Sequence, residues 1–123
     1  MNYSDMKLLI CDDSILARKN LKDILNRLGF TNIIETTNGK DAVDKSIEEH
    51  PDIIMLDIVM PVMDGVSATK AIIDKMPDAV IIMVSSAGTQ TNIKEAIKAG
   101  AKDFVQKPID FELLKHVIEH LVN

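Results

Sequence analysis

Five short apolar runs, each followed by a stretch of helical periodicity, leave this chain few folds to choose from. The runs are "KLLIC" (7–11), "NIIET" (32–36), "DIIML" (52–56), "AVIIMV" (79–84) and "DFVQ" (103–106). The first, third and fourth carry almost no polar residue. A strand with one wet face alternates apolar and polar side chains, so these three read as strands covered on both faces. The second and fifth are more polar and suit the edges of a sheet.

The intervening segments repeat at 3.6 residues. Leu21, Ile24, Leu25 and Leu28 share a face after Ser14, with Gly29 as a stop. Ala42, Val43, Ser46 and Ile47 do the same before His50-Pro51, and Val66, Thr69, Ile72 and Ile73 before Met76-Pro77. A fourth helix is expected from Thr91 to Ala99, closed by Gly100. A fifth runs from Ile109 to Leu121, with Phe111, Leu114, Val117, Ile118 and Leu121 inward. Strict alternation of strand and helix predicts a doubly wound α/β fold, a five-stranded parallel sheet with helices on both sides. At 123 residues, without linker, repeat or low-complexity segment, residues 1–123 are expected to form one domain.

In such a sheet, ligands sit beyond the carboxyl ends of the strands, where the winding direction reverses. The residues there are Asp12-Asp13, Thr37-Asn38, Asp57, Ser85-Ser86 and Lys107-Pro108, after the five strands in order. Each alone has a plain explanation, because Asp, Ser and Thr after strands are common helix N-caps. Capping has no need to bring three acids together, however. At ~5 Å and an effective dielectric near 20, each carboxylate pair repels by roughly 3 kcal/mol. A hard divalent cation removes that penalty, and carboxylates, a backbone carbonyl and waters are what Mg²⁺ prefers. Carboxylates, Mg²⁺, a hydroxyl and a lysine suit phosphoryl transfer, in which positioning and charge neutralisation dominate. With no other nucleophile present, an aspartate can take the phosphoryl group as an acyl phosphate.

Composition narrows the partners. A net charge of −5 without a basic run argues against direct nucleic-acid binding, and 3 % aromatic residues offer no stacking platform. No apolar run approaches the ~20 residues of a membrane span, and no signal-peptide pattern is read in the opening residues. Cys11 is the only cysteine, which suits a reducing cytoplasm; at a strand end it reads as a small buried hydrophobe. His50, His116 and His120 lack metal-ligand spacing and are expected at the surface. Met55 and Met83 fall in core strands and read as packing.

The motifs "ICDDS", "MLDIVMPVMDG", "IIMVSSAG" and "AGAKDFVQKPID", in this order, closely resemble the receiver domain of bacterial two-component response regulators. The nearest likeness is to the single-domain chemotaxis type, and it covers Lys7 to about Leu121. It implies the flavodoxin-like (CheY-like) strand order 2-1-3-4-5 with five helices. It further implies Asp57 as phosphoacceptor, Asp13 as direct metal ligand, and Asp12 as the acid that holds the metal, usually through water. Val59 would give its backbone carbonyl to Mg²⁺. Ser85 matches the switch hydroxyl, Lys107 the phosphoryl-pairing lysine, and Phe104 the aromatic switch. The Lys107-Pro108 bond is a cis candidate. Pro61 and Gly65 are expected to shape the loop that exposes Asp57. Val59 and Ala87 hold the two tuning positions; neither side chain can orient a hydrolytic water, so slow self-dephosphorylation is expected.

The function implied is a phosphorylation-dependent switch in a two-component pathway, with chemotaxis as the expected setting. The phosphodonor would be a sensor histidine kinase or chemotaxis kinase, touching the first helix near Ile15 to Arg18 and the loop after the fifth strand. Output would run to a downstream protein through the fourth helix, fifth strand and fifth helix. A cytoplasmic monomer is expected, not an enzyme beyond self-phosphorylation from small phosphodonors and slow self-dephosphorylation. The alternatives are the isolated receiver of a longer regulator and an aspartate-nucleophile phosphohydrolase. The haloacid-dehalogenase type of hydrolase needs a second acid where Val59 stands. A flavodoxin-like electron carrier needs a Ser/Thr/Gly-rich loop where "DDSILA" stands. A pseudo-receiver would lack an acid or the lysine, and all are present.

Overall fold

Strand β1 (Lys7–Cys11) shows why the apolar runs are unbroken: Leu8 and Ile10 enter one core, and Leu9 and Cys11 the other. Successive side chains of a strand point to opposite faces, so a sheet covered on both sides needs apolar residues at every position. The computed structural model describes residues 2–122. After β1 come α1 (Ile15–Leu28), β2 (Asn32–Thr36), α2 (Gly39–Glu49), β3 (Ile53–Leu56), α3 (Gly65–Lys75), β4 (Ile81–Ser85), α4 (Gln90–Ala99), β5 (Asp103–Gln106) and α5 (Phe111–Val122). All strand pairs are parallel, in the order β2-β1-β3-β4-β5. The doubly wound sheet with five helices expected from the sequence is the fold observed.

One core joins Leu21, Ile24 and Leu25 of α1 and Leu114, Val117 and Ile118 of α5 to the sheet. The other joins Ala42 of α2, Ala68 and Ile72 of α3 and Ala96 of α4 to the opposite face. Two apolar layers of this kind supply most of the folding free energy, at about 25 cal/mol per Å² buried. Among the described residues, no helix is long and apolar enough to cross a membrane.

Element ends follow from local hydrogen bonds. Ser14, Asn38, Asp64 and Thr89 cap α1, α2, α3 and α4 through their side-chain oxygens. The fifth helix begins at Phe111 rather than Ile109, because the Asp110 carboxylate accepts from Leu113 N at 3.1 Å. β4 starts at Ile81 rather than Ala79, whose N–H is spent on Met76 O at 3.0 Å in the turn after α3. The same strand runs on to Ser85, which pairs with Gln106 and is its last residue rather than the first beyond it. Ile47, expected on the inward face of α2, is 37 % exposed; Ala42 and Ser46 carry that face. A 3-10 turn at Tyr3–Asp5, unread in the sequence, stacks Tyr3 on Phe30 with ring centroids 4.4 Å apart.

Ser46 is fully buried, and among the described residues its hydroxyl has no hydrogen-bond partner. Burying an unpaired hydroxyl costs more than the hydroxyl returns, and alanine is the better helix former. Ser46→Ala is therefore expected to raise stability by about 1 kcal/mol. Urea melts check this; a midpoint at or below wild type would mean the hydroxyl is satisfied.

Candidate functional site

The sheet ladder itself assembles the site. Asp57 N donates to Cys11 O at 3.0 Å, Asp12 N to Thr36 O at 3.3 Å and Lys107 N to Ser85 O at 3.0 Å. Asp12, Asp57 and Lys107 are thus each tied by backbone to the neighbouring strand, one residue past the end of their own. β1 and β3 flank the point where the strand order reverses, so Asp12 and Asp57 emerge at the switch point.

The Lys107 ammonium stands between those two acids. Its Nζ lies 2.5 Å from Asp12 Oδ2 and 3.3 Å from Asp57 Oδ2. Burial by itself would push this ammonium down, but the bond to Asp12 and the charge of Asp57 outweigh it and hold the group above the ordinary lysine value. It keeps its charge at neutral pH. The remaining oxygens are also engaged: Asp12 Oδ1 accepts from Ser14 N at 2.9 Å, and Asp57 Oδ1 from Ile58 N at 2.7 Å. Asp12 is 6 % exposed, while Asp13 faces solvent, its carboxylate without a hydrogen bond or ion pair among the described residues. Of the three acids expected to crowd together, the lysine joins Asp12 and Asp57, and Asp13 is not part of that contact.

Behind Asp57 the chain returns at once into α3. A Cβ at Gly65 would meet Asp57 O at 2.0 Å, so only glycine lets the helix start this close to the acid. Gly65 N closes the turn on Ile58 O at 2.8 Å. Within this loop, Met63 N bonds Pro61 O at 2.7 Å and Val62 takes φ 71°, a three-residue turn that strains a β-branched residue. Val59 is exposed on the same loop. The Lys107–Pro108 peptide is cis.

Ser85 is buried at the end of β4, and its Oγ accepts from Ala87 N at 3.1 Å. Phe104 is half-buried and packs against the core on the α2–α4 side. Two residues that sequence reasoning missed hold the loop between Ser85 and α4. Asn92 Nδ2 donates to Ala87 O at 2.8 Å, and Gln106 Nε2 to Ser86 O at 3.1 Å. Gln106 crosses where a Cβ of residue 88 would stand, 1.7 Å from its Oε1, so a side chain at Gly88 would turn the Gln106 amide aside. No sequence signal marks Gln106; its position at a strand end facing a glycine emerges only in three dimensions. Burial lifts the Cys11 thiol to about 11 and the negative charge of Asp12 pushes the same way, which leaves it protonated at neutral pH. His50, His116 and His120 lie exposed.

Among the described residues, no three carboxylates, imidazoles or thiolates stand close enough to chelate a metal by themselves. Mg²⁺ asks for less, since one or two carboxylates with waters suffice. Asp12 and Asp57 converge on one cation already, and the next residue in the chain, Asp13, is exposed, so the two converging acids fit such an ion.

Comparison with known proteins agrees with this architecture. Residues 8–119 match the response regulator receiver domain family. The chain is 48 % identical over 102 residues to the chemotaxis protein CheY of Thermotoga maritima, covering 83 % of this chain and 85 % of that protein. It is 42 % identical over 117 residues to the chemotaxis protein CheY of Bacillus subtilis, covering 95 % and 98 %. In the crystal structure of the CheX–CheY–BeF3–Mg²⁺ complex from Borrelia burgdorferi, a chain 37 % identical superposes with a TM-score of 0.87, covering 96 % of this chain and 90 % of that one. With its sheet order, its acids at the switch point and a family match that spans nearly its whole length, the chain belongs to the response regulator receiver domain family.

Proposed function

We propose that this receiver domain is a phosphorylation-dependent switch of a chemotaxis-type pathway, charged on Asp57 by a histidine kinase. The observation that carries this is the Lys107 ammonium set between Asp12 and Asp57 at the switch point of the sheet. In the transfer, a carboxylate oxygen of Asp57 bonds to phosphorus as the bond from phosphorus to the donor's imidazole nitrogen breaks, the electron pair leaving with the imidazole. Asp12, Asp13, Asp57 and the Val59 carbonyl would hold Mg²⁺, which neutralises phosphoryl charge when bound. Lys107 keeps a fixed positive charge beside Asp57 and would pair with a phosphoryl oxygen. Val59 and Ala87 offer no group to activate water, so the acyl phosphate would be long-lived and the domain would be no enzyme in its own right.

The surface supports the same assignment. Among the described residues, seven large apolar side chains are exposed. Ile15 and Leu16 at the start of α1 and Val59 and Val62 after β3 belong to the segments that carry the acids, which fits a docking kinase helix; Ile97 and Leu113 lie on α4 and α5, the proposed output face. Arg18, by contrast, is turned inward. The proposed setting is the cytoplasm, as a monomer with Cys11 reduced.

In the switch, the Ser85 hydroxyl would leave Ala87 N for a phosphoryl oxygen, and Phe104 would turn inward behind it. Two conformers a few kcal/mol apart suffice for such a response. Beryllium fluoride with Mg²⁺ copies a phosphorylated carboxylate in shape and charge. Amide shift changes are expected to run from Asp57 through Ser85 to Phe104 and α4, and Ser85→Ala should confine them to the acid pocket. Wild-type changes that stop at the pocket would contradict signalling by this route.

A further inference from the structure

Arg18 stands one turn into α1 with its side chain 13 % exposed. Its Nη1 donates to Asp12 O at 2.7 Å and its Nε to Glu35 Oε1 at 3.1 Å. Lys22 holds the second oxygen of Glu35 at 3.1 Å. Some burial would raise the Glu35 carboxyl, but its bonds to Lys22 and Arg18 win and hold it below the usual glutamate range. The arginine is therefore anchored to the edge strand β2 by a carboxylate that stays ionised at neutral pH.

The carbonyl it holds belongs to the peptide that joins Asp12 to Asp13. At this point the ladder with β2 has made its last bond, at Asp12 N, and α1 has yet to begin at Ile15. Neither regular element supplies a donor to that carbonyl; Arg18 does. The peptide plane decides where both acids go, with Asp12 turned inward to Ser14 N and Lys107 and Asp13 turned outward.

We propose that Arg18 is a positioning residue of the acid pocket. It fixes the Asp12–Asp13 peptide so that both carboxylates are presented to the cation, and Glu35 with Lys22 fixes Arg18 in turn. This inference rests on the assignment of Mg²⁺ to that pocket. Partners that orient metal ligands without touching the metal typically govern affinity by about 10- to 100-fold.

Charge and positioning predict opposite signs. A guanidinium near a divalent-cation site repels the ion, so neutralising Arg18 should tighten Mg²⁺ binding if charge is its only influence. If it positions the acids, the same change should loosen binding. Mg²⁺ affinities of wild type, Arg18→Met, Arg18→Lys and Asp13→Ala, measured by calorimetric titration alongside urea melts in chelator, separate the two. Arg18→Met is expected to weaken Mg²⁺ binding by about ten-fold while remaining folded. Arg18→Lys keeps the charge but loses the two-pronged grip, and is expected to fall between. Equal or tighter binding by a folded Arg18→Met overturns the proposal. If that variant does not fold, Arg18→Lys decides: weakened binding supports positioning, and unchanged binding overturns it. Wild type that binds no Mg²⁺, or Asp13→Ala that binds it as wild type does, would instead remove the metal assignment, a separate and visible outcome.

Discussion

Replacing Lys107 with methionine is expected to destabilise the metal-free protein by about 2 kcal/mol, and Mg²⁺ is expected to restore much of the loss. Asp12 is buried, and Lys107 sits 2.5 Å from it while also reaching Asp57. Removing one partner of a buried ion pair commonly costs 3–5 kcal/mol, because a charge is left behind without compensation; here the ammonium end is partly solvated, which discounts that figure to about 2 kcal/mol. Methionine keeps the apolar stem in place, so the loss reports the charge. The folded-state pKa of Lys107 is raised, so its contribution is fully present below the ordinary lysine value of 10.5 and is lost only as pH rises past the shifted one. Melts at neutral pH therefore see all of it.

The rescue follows from the same geometry. With the ammonium gone, a divalent cation no longer competes for the two acids, so Mg²⁺ should bind the variant more tightly and stabilise it more than wild type. Urea melts in chelator and in Mg²⁺ check both halves. A variant as stable as wild type in chelator would show that the ammonium is not what relieves Asp12. A deficit that Mg²⁺ leaves untouched would show that these acids do not hold the ion.

How far such contacts can be read from sequence differs by element. The unbroken runs at β1, β3 and β4 demanded two covered faces, and the observed alternation of Leu8 and Ile10 against Leu9 and Cys11 is that demand met. The residues that gather at the carboxyl ends followed from parallel strands alone. Periodicity was weaker where two neighbours compete for one face: α2 chose Ala42 and Ser46 and left Ile47 outside. The bridge from Lys107 to Asp12 spans 95 positions in the chain, and no local pattern signals which of three acids the lysine meets. The grip of Arg18 on Asp12 O and of Gln106 on Ser86 O engages backbone carbonyls, which every residue carries, so the sequence around the acceptor holds no mark of them.

The largest effect expected is all-or-none. Asp57 is the acid at the end of the central strand β3, and Gly65 lets the chain turn close behind its carbonyl. Oδ2 already faces a fixed cation in Lys107 and Oδ1 is steadied by Ile58 N, so the carboxylate is oriented before any donor arrives. Asparagine at this position keeps the shape but has no anionic oxygen to bond phosphorus, and the other acids lack this placement. Incubation with acetyl phosphate or phosphoramidate, read by intact mass and by peptide mapping of the modified residue, is the direct measurement. A single phosphoryl group on Asp57, gained in Mg²⁺, lost in excess chelator and absent from Asp57→Asn, is the predicted result; equal modification of Asp57→Asn, or full reaction in chelator, would contradict it.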